Sequence, residues 1–120
     1  MPQEGVTYRE LVRLALSLPG VEQGTSYGTP ALRVKRKLLL RLKEDGETVA
    51  LHVPMEAREV LLRSDSDVFF LTDHYRNDPM VLVRLAAIDR DRLADLLEMA
   101  WRERATKRMV EGFDASRGKD

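Results

Sequence analysis

Cysteine is absent from this chain of 120 residues, which excludes disulfides, thiolate metal ligands and a cysteine nucleophile and makes the cytoplasm the expected compartment. Long apolar runs are missing too. The most continuous ones, Leu38-Leu39-Leu40 and residues 80–83, fall far short of the ~20 residues that cross a bilayer, so no membrane partner is expected. Met-Pro-Gln-Glu-Gly at the start has no basic stretch followed by an apolar one, and no secretory leader is expected. Net charge is lacking as well: 20 basic and 20 acidic residues cancel, so any contact with a polyanion must rest on a local patch. Glycine-rich phosphate loops and close His/Cys spacings are not found. His52 and His74 stand apart from any recognisable nucleophile motif. Neither catalytic residues nor a metal or cofactor are therefore assigned, and the chain is not expected to be an enzyme.

What remains is 43% hydrophobic and 33% charged residues, the balance of an ordinary globular domain with one core. Thr7 and Glu10 have the spacing of a capping box, with Val6 and Leu11 as its staple. Leu11, Leu14, Ala15 and Leu18 continue one apolar helix face until Pro19-Gly20. Residues 21–30, rich in Gly, Ser and Thr, read as a loop. Leu32 and Val34, then Leu38, Leu40 and Leu42, alternate with charged residues and predict two strands. An odd-length loop about Arg36 would set Val34 opposite Leu38 and Leu32 opposite Leu40, gathering Arg33, Lys35, Lys37 and Arg41 on a basic outer face. Asp45-Gly46 predicts the next turn, and Val49, Leu51 and Val53 a third strand.

Pro54 suits the first turn of a helix that buries Ala57, Val60 and Leu61 and ends at Ser64-Asp65-Ser66-Asp67. Residues 68–72 and 80–85 are more continuously apolar and read as central strands. Between them residues 73–79 form a second exposed hairpin tip. Asp89 caps the longest helix, whose stripe is Leu93, Leu96, Leu97, Ala100 and Trp101. Beyond Thr106 the periodicity fades, leaving a domain over 1–108 and a frayed tail over 109–120. The expected architecture is a two-layer α+β domain with the order α-β-β-β-α-β-β-α.

Tyr27-Gly28-Thr29-Pro30-Ala31-Leu32-Arg33-Val34, Lys37, residues 69–75, Leu82-Val83-Arg84-Leu85 and Ala100-Trp101-Arg102 occur in an order that resembles the MmcQ/YjbR family from the first helix to about Arg108. The resemblance implies a fold like that of type III secretion chaperones, with a five-stranded antiparallel sheet. It also implies DNA binding through two hairpins described as a double wing. At Arg36, where the family commonly has glycine, and at Leu39, where an aromatic is common, this chain departs from the pattern.

Two clusters are candidates for a nucleic-acid site. Arg33, Lys35, Arg36, Lys37 and Arg41, with Lys43 beyond them, form a ribbon of cations without an internal acid, suited to phosphates or simply to blunting a sheet edge. His74, Tyr75 and Arg76 combine a stacking surface with donors at the second tip, flanked by Asp73 and Asp78. Tyr27 and Gly28 read as a packed aromatic with a turn glycine, and Trp101 as core. The expected function is DNA binding. The alternative is a non-enzymatic protein-interaction module, and the chain is expected to be a monomer or weak homodimer. A small-molecule cleft near Tyr27, His52 and Tyr75 would require those three side chains to converge.

Overall fold

The computed structural model describes residues 5–117. Its elements run α1 (Tyr8–Leu16), β1 (Val21–Ser26), β2 (Thr29–Val34), β3 (Lys37–Leu42), β4 (Thr48–His52), α2 (Met55–Ser64), β5 (Phe69–Phe70), β6 (Met80–Arg84), α3 (Arg90–Arg104) and α4 (Lys107–Arg117). The α+β class stands. The capping box at Thr7 and Glu10 is formed in both directions, and Asp89 accepts from the Arg92 amide at 2.8 Å. Among the described residues no helix is long and apolar enough to cross a membrane.

The sheet has six strands rather than five, in the order β1-β2-β3-β4-β6-β5, with every neighbouring pair antiparallel. The additional strand is β1, which had read as loop. It sits at the sheet edge and is exposed or half-exposed along its whole length, so burial imposes no alternation for the sequence to display. The tight turn into β2 is Tyr27-Gly28, both at positive φ (53° and 81°), as a two-residue hairpin loop requires. At the opposite end β5 is an edge strand of only two residues, and of the two strands expected in the middle β6 alone is central.

The β2–β3 connection also departs from the expected register. Two residues, Lys35 and Arg36, make the turn at φ 50° and 72°, so Val34 faces Lys37 and Arg33 faces Leu38. A β-bulge then leaves Leu39 without a partner and restores Leu32 opposite Leu40. The phase that an odd loop was to supply comes from the bulge, and Leu39 and Leu40 are both fully buried.

Alternation along β4 and β6 sorts the rest. Val49, Leu51, Val81 and Val83 join α1 and α3 in the main core, whereas Ala50 and Leu82 turn to the other face with Met80 and Tyr75. On α2 it is Arg58 that is buried, while Val60, expected inside, is 56% exposed. Residues 109–117, expected to fray, belong to α4. Thr106 Oγ1 accepts the Met109 amide at 3.1 Å, the Phe113 ring meets Trp101 edge-on at 4.9 Å, and Arg102 pairs with Asp114 at 2.6 Å. Only Met109, Val110 and Phe113 reach the core, too few to make a visible stripe. A Cβ at Gly20 (φ 76°) would collide with the Met109 methyl, so that glycine admits α4. Residues 118–120 of the expected tail lie outside the described residues.

At the β3–β4 turn Asp45 accepts the Glu47 and Thr48 amides at 2.8 and 2.9 Å and the Thr48 hydroxyl at 2.8 Å. The Glu47 amide foremost holds its carboxyl below the ordinary value. A carboxyl depressed by folding stabilises above its unfolded pKa and loses that contribution as pH falls through the folded one. Asp45→Asn should therefore shrink the acid-side loss of stability, read as the urea midpoint against pH. An unchanged acid limb would assign that loss to other carboxylates.

Candidate functional site

The sheet face opposite the main core is only partly covered, and its floor is set by cross-strand neighbours. Arg41 on β3 lies between Ala31 on β2 and Ala50 on β4. Two small neighbours let the long side chain lie down across the sheet instead of standing out on a basic face, and it is only 7% exposed. Its Nη1 donates to Thr29 Oγ1 at 2.7 Å and its Nη2 to Glu44 at 3.4 Å. The Tyr27 ring centroid is 5.4 Å from the guanidinium. Tyr27, expected to be packed, is 88% exposed, because its place at the apex of a tight turn carries the ring outward.

Residues 73–79 do not project as a tip. They fold back on the sheet and bury Tyr75, whose hydroxyl accepts from Lys43 Nζ at 3.1 Å. Arg58 holds them there: its Nη1 donates to the carbonyls of Tyr75, Arg76 and Asp78 at 3.2, 3.0 and 2.9 Å. Three converging carbonyls are a partner for which a buried guanidinium is well shaped.

Between this loop and the sheet lies a pocket of about 630 Å³. Tyr27, Arg41 and Lys43 line one part of it and His52, Met80 and Arg104 another, with Leu38, His74, Tyr75 and Pro79 among the remaining walls. Glu44 and Asp78 contribute carboxylates. The three residues whose convergence a cleft required, Tyr27, His52 and Tyr75, thus share one cavity. His52 faces Met80 across the β4–β6 pair. Its Nδ1 is buried without a hydrogen-bond partner, and burial, then the charge of Arg104, pushes its pKa down. Arg104 ends α3 and donates from Nε to the Leu38 carbonyl at 3.0 Å; burial lowers its pKa as well.

Of the nucleic-acid candidates, Arg41, His74 and Tyr75 meet at this pocket. Lys35, Arg36 and Lys37 do not: they are exposed at the β2–β3 turn. Arg33 is half-buried and donates to the Thr25 carbonyl at 2.8 Å. Arg76 is exposed and paired with Asp73 at 2.6 Å. Arg58 and Arg104 escaped sequence reading. Arg58 sits among helix residues that read as a buried apolar face, and Arg104 looked like an ordinary basic helix end. Among the described residues no three His, Asp or Glu side chains cluster as a metal site would need.

These features define a class: an antiparallel sheet with helices on one face and a partly basic pocket on the other. The chain belongs to the YjbR family, whose model matches residues 16–103. It is 33% identical over 93 residues to the uncharacterized proteins Rv2570 of Mycobacterium tuberculosis and Mb2600 of Mycobacterium bovis, covering 74% of this chain and 72% of each relative. The crystal structure of Deinococcus radiodurans protein DR2400, a DUF419 domain, superimposes with a TM-score of 0.67 at 19% identity, covering 84% of this chain and 78% of that one. That likeness is one of fold.

Proposed function

We propose that the chain is a non-enzymatic, cytoplasmic DNA-binding protein whose phosphate contacts are made by Lys35, Arg36 and Lys37 at the β2–β3 turn. One observation carries this reading. The three cations are exposed and none pairs with a carboxylate among the described residues; Arg9, Arg13, Arg63, Lys107 and Arg108 are exposed and unpaired as well, but at the turn three such charges stand side by side. Unpaired exposed cations can displace condensed counterions from a phosphate backbone without first breaking an internal contact. The turn adds weight, because Lys35 and Arg36 occupy left-handed backbone that costs a non-glycine residue about 1 kcal/mol. Strain retained at a charged tip points to a use for the charge. The second hairpin, with Tyr75 buried and Arg76 paired, contributes no comparable set, so the contact is through one wing.

Arg36→Gly separates the two roles. It should raise stability by about 1 kcal/mol by relieving the turn, and weaken binding to a short DNA duplex while lowering the salt slope by about one. Fluorescence anisotropy across a salt series reads the second effect and urea denaturation the first. Wild-type affinity and slope in the variant would remove the turn as the contact, and no binding by the wild type at low salt would remove the DNA reading itself.

A second reading, a protein-interaction module, is favoured by β1. This six-residue edge strand carries a single charged side chain, Glu22, and little on it discourages strand addition by another chain.

A further inference from the structure

We infer that the pocket on the open sheet face binds a small monocarboxylic acid with an aromatic or branched apolar body, its carboxylate held by Arg104 with His52 beside it. The inference does not rest on the DNA reading, which uses the cations of the turn.

A cavity of about 630 Å³ has the size of a small-molecule site. Its two cationic regions are not equivalent. Arg41 and Lys43 are already engaged, by Thr29, by the Tyr75 hydroxyl and by the one carboxylate they share, Glu44, so their donors are largely spent although one positive charge is left over. Arg104 spends one N–H on the Leu38 carbonyl, and among the described residues its guanidinium pairs with no carboxylate, since none lies within the 4.0 Å of an ion pair. The remaining donors of a half-buried, planar fork are what a carboxylate satisfies two at a time. His52 lines the same wall. Its Nδ1 is buried without a partner but is closed off from the cavity as well as from solvent, so the carboxylate contact falls to Arg104.

Charge count selects the ligand. Arg41, Lys43 and Arg104 against Glu44 and Asp78 on the same walls leave one net positive charge, which one negative charge balances and a dianion exceeds. Leu38, Pro79 and Met80 offer the apolar surface for the rest of the molecule. The site thus asks for one carboxylate on a compact apolar body.

The test uses the whole chain, nitrogen-labelled, titrated with phenylacetate, its neutral isostere phenylacetamide and the dianion phenyl phosphate, followed by proton–nitrogen correlation spectra. Phenylacetate should shift the amides of Leu38, His52 and Arg104 saturably, and bind at least about tenfold more tightly than the amide. Phenyl phosphate should bind no more tightly than phenylacetate. Arg104→Gln should bring acid affinity down to that of the amide and leave the amide unaffected. Equal binding of acid and amide, absence of shifts at those residues at millimolar acid, or full acid affinity in Arg104→Gln would each overturn the inference, and tighter binding of the phosphate would overturn the choice of a monoanion. The acid-to-amide ratio is measured on the wild type and decides the matter even if the variant fails to fold.

Discussion

Arg58→Ala should destabilise the fold by about 3 kcal/mol and release residues 73–79 from the sheet. The side chain is 6% exposed and its Nη1 is shared by three carbonyls of one loop. Truncation removes charge-assisted bonds, each stronger than a neutral one, and leaves those carbonyls facing a void until water enters. The salt bridge from Arg58 to Glu59, which is half exposed, adds little. The effect should be local before it is global. Amide protection at Tyr75 and Asp78, which bond to the Thr72 and Tyr75 carbonyls, should fall by more than protection in β4 and β6. Arg58→Lys should recover less than half of the loss, because the more strongly hydrated ammonium costs more to bury than a guanidinium does. If Arg58→Ala melts like the wild type with Tyr75 and Asp78 still protected, something other than this guanidinium positions the loop. Because the loop walls the pocket, the same variant should lose any ligand that the pocket takes.

The signals that were legible are local ones. Thr7 with Glu10, Asp89 ahead of its leucine stripe and Asp45-Gly46 between two alternating runs each specify backbone within a few residues, and each is realised. Where tertiary surroundings decide, the sequence was silent or misleading. The strand β1 shows no alternation because neither face is buried, and α4 shows no stripe because three side chains suffice to dock it. At the β2–β3 turn the apolar pattern required Leu32 opposite Leu40, but a bulge at Leu39 meets that requirement as well as an odd loop does. The pocket was legible only in outline: Tyr27, His52 and Tyr75 were named as residues a cleft would join, whereas Arg41, Lys43 and Arg104 were not placed with them. Its walls come from positions as far apart as Tyr27 and Arg104, and strand order rather than spacing brings them together: β4 pairs with β6, which sets His52 against Met80. Arg41 illustrates the same limit. Alternation placed it on the face away from the core, and two alanine neighbours decided that this face would bury it.

Trp101→Ala should cost about 3–5 kcal/mol, a large share of the roughly 5–15 kcal/mol that holds a domain of this size together. The ring is fully buried at the heart of the α3 stripe, its Nε1–H donates to the Pro19 carbonyl at 2.7 Å, and Phe113 of α4 rests on it edge-on. One side chain therefore joins the end of α1, the core helix and the C-terminal helix. Two milder variants divide its role. Trp101→Phe keeps an aromatic ring but leaves the Pro19 carbonyl unpaired, and should cost about 1–3 kcal/mol. Phe113→Ala removes only the outer partner, so it should strip protection from the Val110 amide, bonded to the Thr106 carbonyl, while the sheet stays protected. Hydrogen exchange with thermal melting by circular dichroism orders the three variants. A Phe113→Ala protein that loses as much global stability as Trp101→Phe would make α4 part of the cooperative core. A Trp101→Ala protein within about 1 kcal/mol of the wild type would mean that the ring fills space the core can close without it, and that α1 and α4 are held by other contacts.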